Sequence, residues 1–274
     1  RYLHEFFHDD SPGSTQAQAF TRFGRAVGRR LGEMHRVLAC ETDDPAFAAR
    51  PATPDDVAGW IRGVEDELKR AYSVLAHAEQ HAHWDGQTAA SLKELLERRE
   101  LLLAALPDLG VDGPGSIVSR IHGDFHLGQV LVAGEDAYII DFEGEPSKSL
   151  AARRAKASPL NDVAGMLRSF RYALAMAIKA EPDVDRFPEH VRRNVLEPIV
   201  SRAESGFLDA YREAVRGLAG LESAGLLDLF LVRKAAYEIG YEAANRPDWL
   251  PVPMQGLREI ARRLGKDTDR VAPA

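Results

Sequence analysis

Only Ser116 to Asp141 reads as strand in a chain whose apolar residues otherwise recur at helical spacing, and that contrast limits the fold more than any other feature. Gln129 to Val132 and Ala137 to Ile140 are short apolar runs around Ala133-Gly134-Glu135-Asp136, the pattern of a β-hairpin. One further short strand precedes them. The expected class is α+β and mostly helical, with a small hairpin.

The helices announce themselves by period and caps. Thr15 to Ala39 carries Phe20, Phe23, Val27, Leu31 and Met34 three and four residues apart, an amphipathic helix. Thr53-Pro54-Asp55-Asp56 is an N-cap with proline in the first turn, opening a helix to about Ala78. Gln87 to Leu106, ended by Pro107, is a third, and Gly110 to Gly115 a glycine-rich turn. Ser158-Pro159 caps a helix striped by Leu160, Val163, Leu167, Phe170 and Leu174. Asp162 in its first turn suits the helix dipole or the preceding loop. Pro188 to Leu218 reads as a long helix or a pair broken near Pro198, Leu221 to Asn245 as another, and Lys266 to Ala274 as a frayed polar tail.

Two acidic motifs flank the hairpin. His122-Gly123-Asp124-Phe125-His126-Leu127-Gly128-Gln129 sets a carboxylate in a glycine-punctuated loop with an amide side chain five positions later. Kinases hold a catalytic Asp and a metal-binding Asn at that spacing. Ile139-Ile140-Asp141-Phe142-Glu143-Gly144 ends an apolar strand on an acid, as the Asp-Phe-Gly element presents its Mg²⁺ ligand. A closed hairpin brings Gln129 and Asp141 to one end, with Asp124 beside them. Phosphoryl transfer needs such a set, because a sugar hydroxyl is a poor nucleophile and ATP repels an approaching oxygen. Asp124 is the candidate base, and Asp141 with Gln129 the candidate Mg²⁺ ligands. Gly123 and Gly128 are suited to positive φ and close phosphate approach. His122 and His126 are loop or phosphate supports, His126 by donating to phosphate or by bracing Asp124. Either motif alone is matched by turn-capping aspartates. Both in this order are not easily so explained.

Composition sets the bounds. The chain has 274 residues, 45% hydrophobic and 28% charged, enough for one large domain or two small ones. A net charge of −7 argues against a nucleic-acid partner. No apolar run reaches the ~20 residues of a membrane span; Leu226 to Val232 is interrupted by Asp228. The single cysteine, Cys40, excludes an internal disulfide and fits a reducing, cytoplasmic setting. The sequence opens Arg1-Tyr2-Leu3, has no signal peptide, and reads as an interior piece of a longer polypeptide. Residues 1–118 lack a GxGxxG loop and a VAIK-like strand, so a kinase reading expects a separate N-terminal lobe to cover the nucleotide.

HGDFHLGQVL, IDFEGEP, the stretch Arg153 to Ala173 and YEAANRPDW (Tyr241 to Trp249) resemble the maltokinase group of the aminoglycoside-phosphotransferase-like kinases. The resemblance runs in element order from about Phe20 to Leu257 and is dense only from Ile121 to Arg171. It implies the C-terminal lobe of a protein-kinase-like fold, ATP and Mg²⁺ as cofactors, and phosphorylation of the anomeric hydroxyl of maltose. A fused or associated trehalose synthase is a further implication. It also favours Arg153 and Arg154, in the activation-segment position Gly144 to Ala157, as phosphate supports.

The Leu221 to Asn245 helix turns polar on its inward face. Leu227, Phe230 and Leu231 give way at helical spacing to Lys234, Glu238, Tyr241, Glu242 and Asn245. Carboxylates and an aromatic face suit a sugar, and a solvated helix end with a Lys234–Glu238 pair explains the pattern equally well. The family-like YEAANRPDW favours the pocket, with Glu238, Tyr241, Arg246 and Trp249 as substrate candidates. Two alternatives stand beside maltose: glucosamine, another amino sugar or an aminoglycoside, and a sugar-binding or regulatory module without turnover. Lacking its lid, the isolated piece is expected to turn over slowly.

Overall fold

The computed structural model describes residues 15–81, 84–134, 136–180 and 196–271. They divide into two compact units, one of Arg1–Arg50 with Ile117–Glu222 and one of Pro51–Ser116 with Ser223–Ala274. No described helix is long and apolar enough to cross a membrane.

The first unit is built on α1 (Thr15–Leu38), α6 (Leu160–Ala180) and α7 (Glu197–Ala214). Gly24, Gly28 and Gly32 recur every fourth residue of α1 and face α7. A Cβ on Gly28 would lie 2.1 Å from the Phe207 carbonyl oxygen and one on Gly24 2.5 Å from that of Ala203. The two backbones therefore meet with no side chain between them. Beside this seam an aromatic column links the helices: Phe20 to Phe170 at 5.7 Å, Phe170 to Phe207 at 5.9 Å and Phe207 to Tyr211 at 6.4 Å between ring centroids. The expected α6 stripe is buried throughout. Arg171 of α6 grips Glu204 of α7 through two bonds of 2.7 Å.

Three strands lie in the region read as strand: β1 (Ile117–Val118), β2 (Val130–Ala133) and β3 (Asp136–Ile139). The hairpin forms in the expected register, its paired strands shifted one residue toward the turn. Val130 pairs with Ile139 and Ala133 with Asp136, while Gln129 falls in a short 3-10 turn, Leu127–Gln129. Asp136, at the hairpin tip, accepts from Arg30 Nε at 2.9 Å and Arg29 Nη2 at 3.1 Å, both on α1. These bonds, Arg30 foremost, hold its carboxyl well below the usual range. A one-turn helix, α5 (Leu150–Arg154), follows, capped by Ser149.

The second unit contains α2 (Pro54–His81), α3 (Gly86–Glu97), α4 (Arg99–Leu109), α8 (Ala224–Asn245) and α9 (Pro251–Val271). Thr53 opens α2 as expected: its hydroxyl accepts from the Asp56 amide at 3.1 Å, and Asp56 accepts from the Thr53 amide at 2.8 Å. Trp60 of α2 meets Phe230 of α8 edge-on at 5.5 Å.

Three expectations about elements are corrected. Gln87 to Leu106 is two helices broken at Arg98, whose φ of −90° and ψ of 6° leave the helical region, and Pro107 lies inside the last turns of the second. Pro198 lies in the first turn of α7, where its missing N–H is harmless, so a helix begins near it. Residues 188–195 of that stretch lie outside the described residues. Helix α9 runs on through Lys266 to Val271, where a frayed tail was expected.

Candidate active site

The loop carrying Asp124 is held by one strip of α6, at residues 162, 165 and 169. Asp162, buried, accepts from the backbone N–H of His122 at 2.8 Å and of Gly123 at 2.9 Å. Gly165 leaves room for the loop: a Cβ there would lie 2.6 Å from the Phe125 carbonyl oxygen. Ser169 Oγ accepts from the Leu127 amide at 3.0 Å. Of these three only Asp162 stands out in the sequence, because the loop that Gly165 and Ser169 meet lies some forty residues away. Asp162 does stand in the first turn of α6, where the helix dipole suits it, but the loop it binds is that of Asp124 and not the Gly144 to Ala157 segment just before the helix.

His122 then joins the loop to the hairpin. Its Nε2 lies 2.9 Å from the carbonyl oxygen of Ile140, which can only accept, so Nε2 carries the proton. The ring is buried between Phe125 and Phe142, each with its centroid 5.3 Å away. Gly123, at φ +85°, lies against Gly144, at φ +73°; a Cβ on Gly123 would be 3.6 Å from the Gly144 Cα. Both acidic motifs thus turn through left-handed glycines at their point of contact.

Gln129 and Asp141 come together as the hairpin predicts. The Ile140 amide donates to the Gln129 carbonyl at 3.0 Å, continuing the ladder by one rung, and Gln129 Nε2 donates to Asp141 Oδ2 at 2.9 Å. Asp141 is exposed and sits at φ +63°, alone among the described non-glycine residues. Such a backbone is tolerated best by Asn and Asp and is strained for other L-residues.

Asp124 is half-buried, and His126 Nε2 stands 4.0 Å from its Oδ2. His126 Nδ1 accepts from the Gly128 amide at 3.0 Å, so the Nε2 proton faces the carboxylate. This also corrects the role of Gly128. Its φ is not positive; a Cβ there would meet the His126 ring at 2.7 Å, and the glycine makes room for that ring.

Arg153 lies against Gly144, with its Nη1 3.4 Å from the Glu143 carbonyl oxygen. Arg154 is engaged through its backbone, accepting from the Arg120 guanidinium. A cleft of about 540 Å³ in the same unit, lined by Arg22, Arg25 and Glu213 among others, contains none of these residues.

The substrate candidates belong to the other unit. Glu238 and Glu242 are buried on α8, as the polar inward face requires. Arg246 closes on Glu242 with bonds of 2.9 and 2.6 Å, and its guanidinium lies 5.8 Å from the Tyr241 ring centroid and 5.5 Å from that of Trp249. Tyr241 is half exposed and stacks on Tyr237 at 6.3 Å, while Lys234 lies over the Tyr237 ring.

Comparison with known proteins bears on this arrangement. Residues 3–177 match the phosphotransferase enzyme family, APH. Glucosamine kinase from Streptacidiphilus jiangxiensis is 30% identical over 246 residues, 88% of this chain and 50% of that protein. Glucosamine kinase from Mycolicibacterium smegmatis is 30% identical over 241 residues, 85% and 52% respectively. A crystal form of glucosamine kinase superposes with a TM-score of 0.71 at 25% identity, covering 94% of this chain and 54% of that one. A glucosamine kinase in complex with glucosamine, ADP and inorganic phosphate gives 0.69 at 26%, covering 91% and 56%. This chain spans about half the length of the relatives it matches.

These likenesses overturn the maltokinase assignment, and with it the trehalose synthase fusion. Motifs of the kind found around Asp124 and Asp141 are expected wherever a phosphoryl group passes to a hydroxyl and carry no information about the sugar.

Proposed function

The chain belongs to the phosphotransferase enzyme family, and from that premise we propose that it carries the catalytic groups of an ATP-dependent kinase whose acceptor is glucosamine or another amino sugar. One observation carries the reading. The loop of Asp124 is held on Asp162 through the His122 and Gly123 amides and is tied through His122 to the hairpin end where Gln129 and Asp141 meet. Asp124 takes the proton of the acceptor hydroxyl as the phosphoryl group arrives. His126, with Nε2–H toward the carboxylate, steadies its charged form or reaches a phosphate oxygen.

The chemistry of Asp141 and Gln129 fits Mg²⁺. Among the described residues no group of three or more His, Cys, Asp or Glu is placed to hold a metal. One carboxylate and one amide oxygen suffice for an ion that keeps several waters and completes its shell with substrate phosphates. Bound there, Mg²⁺ would neutralise charge on those phosphates. Arg153 supports the segment after Asp141 through the Glu143 carbonyl. The glycine-rich cover and paired lysine, for which residues 1–118 hold no pattern, come on this reading from chain beyond these residues.

Relatives named for glucosamine support the acceptor class. The test is phosphate transfer by the full-length protein, with ATP and Mg²⁺, to glucosamine, glucose, maltose and an aminoglycoside. Preferred transfer to glucosamine is expected. Equal transfer to glucose and glucosamine would overturn the amino-sugar reading.

A further inference from the structure

Asp162 has a third partner beyond the two loop amides, and it leads away from the site. His35 of α1, fully buried, places Nε2 3.1 Å from Asp162 Oδ2 and Nδ1 3.0 Å from the hydroxyl of Tyr211 on α7. Tyr211 is itself buried and meets the His35 ring edge-on at 5.6 Å. Elements distant in sequence thus converge on one carboxylate.

The direction of every bond follows from the chemistry of its ends. A carboxylate only accepts, so His35 Nε2 carries a proton. In a neutral ring Nδ1 is then an acceptor, and Tyr211 donates to it. Both ring nitrogens of His35 and the Tyr211 hydroxyl are satisfied in this tautomer. An imidazolium would point Nδ1–H at the phenol oxygen and leave the phenol proton with no acceptor recorded for it among the described residues. Burial, with a smaller contribution from the Asp162 charge, pushes the Tyr211 hydroxyl well above its ordinary range and keeps it a donor.

We propose that His35 and Tyr211 are positioning residues for the catalytic loop: the one-way chain from Tyr211 through His35 orients the Asp162 carboxylate, which fixes the His122 and Gly123 amides and so aims Asp124. Asp162 Oδ1 takes the Gly123 N–H, while Oδ2 is shared by the His122 N–H and His35 Nε2–H. Without the His35 donor, Oδ2 keeps only the loop amide, and among the described residues no other hydrogen bond ties the carboxylate to α1. Neither His35 nor Tyr211 is among the groups assigned to substrate. Their loss therefore acts on the aim of the base and not on binding. The inference rests on Asp124 acting as that base.

The test uses the full-length protein with ATP, Mg²⁺ and glucosamine. His35→Leu is expected to lower kcat by about 100-fold and Tyr211→Phe by about tenfold, as misaiming a reacting group does. KM for both substrates should stay within about twofold, the signature of an interaction used only in the transition state. His35→Gln, whose amide keeps a donor toward Asp162, should recover most of the turnover. In ¹⁵N-labelled wild-type protein at neutral pH, the His35 ring should show a protonated Nε2 and an unprotonated, hydrogen-bonded Nδ1. A folded Tyr211→Phe with unchanged kcat, kcat and KM falling together, or an Nδ1–H ring would overturn the proposal. If His35→Leu does not fold, Tyr211→Phe and the ring spectrum decide. An Asp124→Asn control separates the two claims: activity within about tenfold of wild type there sinks the base assignment, whereas a larger loss there with normal Tyr211→Phe turnover sinks only the positioning role.

Discussion

His122 Nε2 donates to the carbonyl of Ile140 at 2.9 Å, joining the loop of Asp124 to the strand end that presents Asp141. The histidine of the first motif is thus a spacer between two acids, and its buried ring contacts Phe125 and Phe142. His122→Ala should cost about 1–3 kcal/mol for the lost bond and the acceptor left behind. Turnover should fall further than stability predicts. Denaturant unfolding beside steady-state kinetics checks both.

Asp141 allows stability and activity to be separated. At φ +63° the residue bears strain that Asn tolerates and Ala does not. Asp141→Asn is expected to unfold at nearly the wild-type denaturant midpoint, and Asp141→Ala to be about 1 kcal/mol less stable. Turnover should collapse in both. Equal stability of the two variants would contradict the strain.

Gly165 is a further point where the loop meets α6. A methyl group would meet the Phe125 carbonyl at 2.6 Å, and backbone must move to admit it. Gly165→Ala should destabilise by about 1–3 kcal/mol and lower kcat through displacement of the loop. A variant with wild-type kcat would show that the loop is not held there.

How much of this was legible in the sequence depended on whether both partners of a contact lay in one pattern. The hairpin, the Thr53 cap and the buried stripe of Leu160, Val163 and Phe170 are local or periodic, and the chain forms them. Gly24, Gly28 and Gly32 also lie in one helix at a four-residue repeat, a signal for close helix packing that the apolar stripe obscures. Gly165, Ser169 and His35 have no local signature, since their partners are distant in the chain. The break at Arg98 follows from backbone geometry that no residue type there demands. The acceptor sugar was least legible, because the acidic motifs are fixed by the phosphoryl group.

The hairpin tip should be sensitive to acid. The folded Asp136 carboxyl lies below its ordinary value of 3.8, chiefly through Arg30 and then the Ala137 amide. Its contribution is therefore present above that value and lost as pH falls toward the depressed one. Exposure and salt reduce its size. Amide protection at Val130 to Ala133, taken relative to the intrinsic exchange rate at each pH, should fall below about pH 4, and Asp136→Asn should be less protected at neutral pH with little further response to acid. A variant that keeps the wild-type acid response would assign it to other carboxylates.

The central claim, that Asp124 is the base at a site completed by Gln129 and Asp141, is tested most directly by single-turnover phosphate transfer in full-length Asp124→Asn with saturating ATP, Mg²⁺ and glucosamine. The expected result is a rate about 10²–10⁴-fold below wild type with unchanged nucleotide affinity. A rate within about tenfold of wild type would contradict it, because no positioned general base contributes so little.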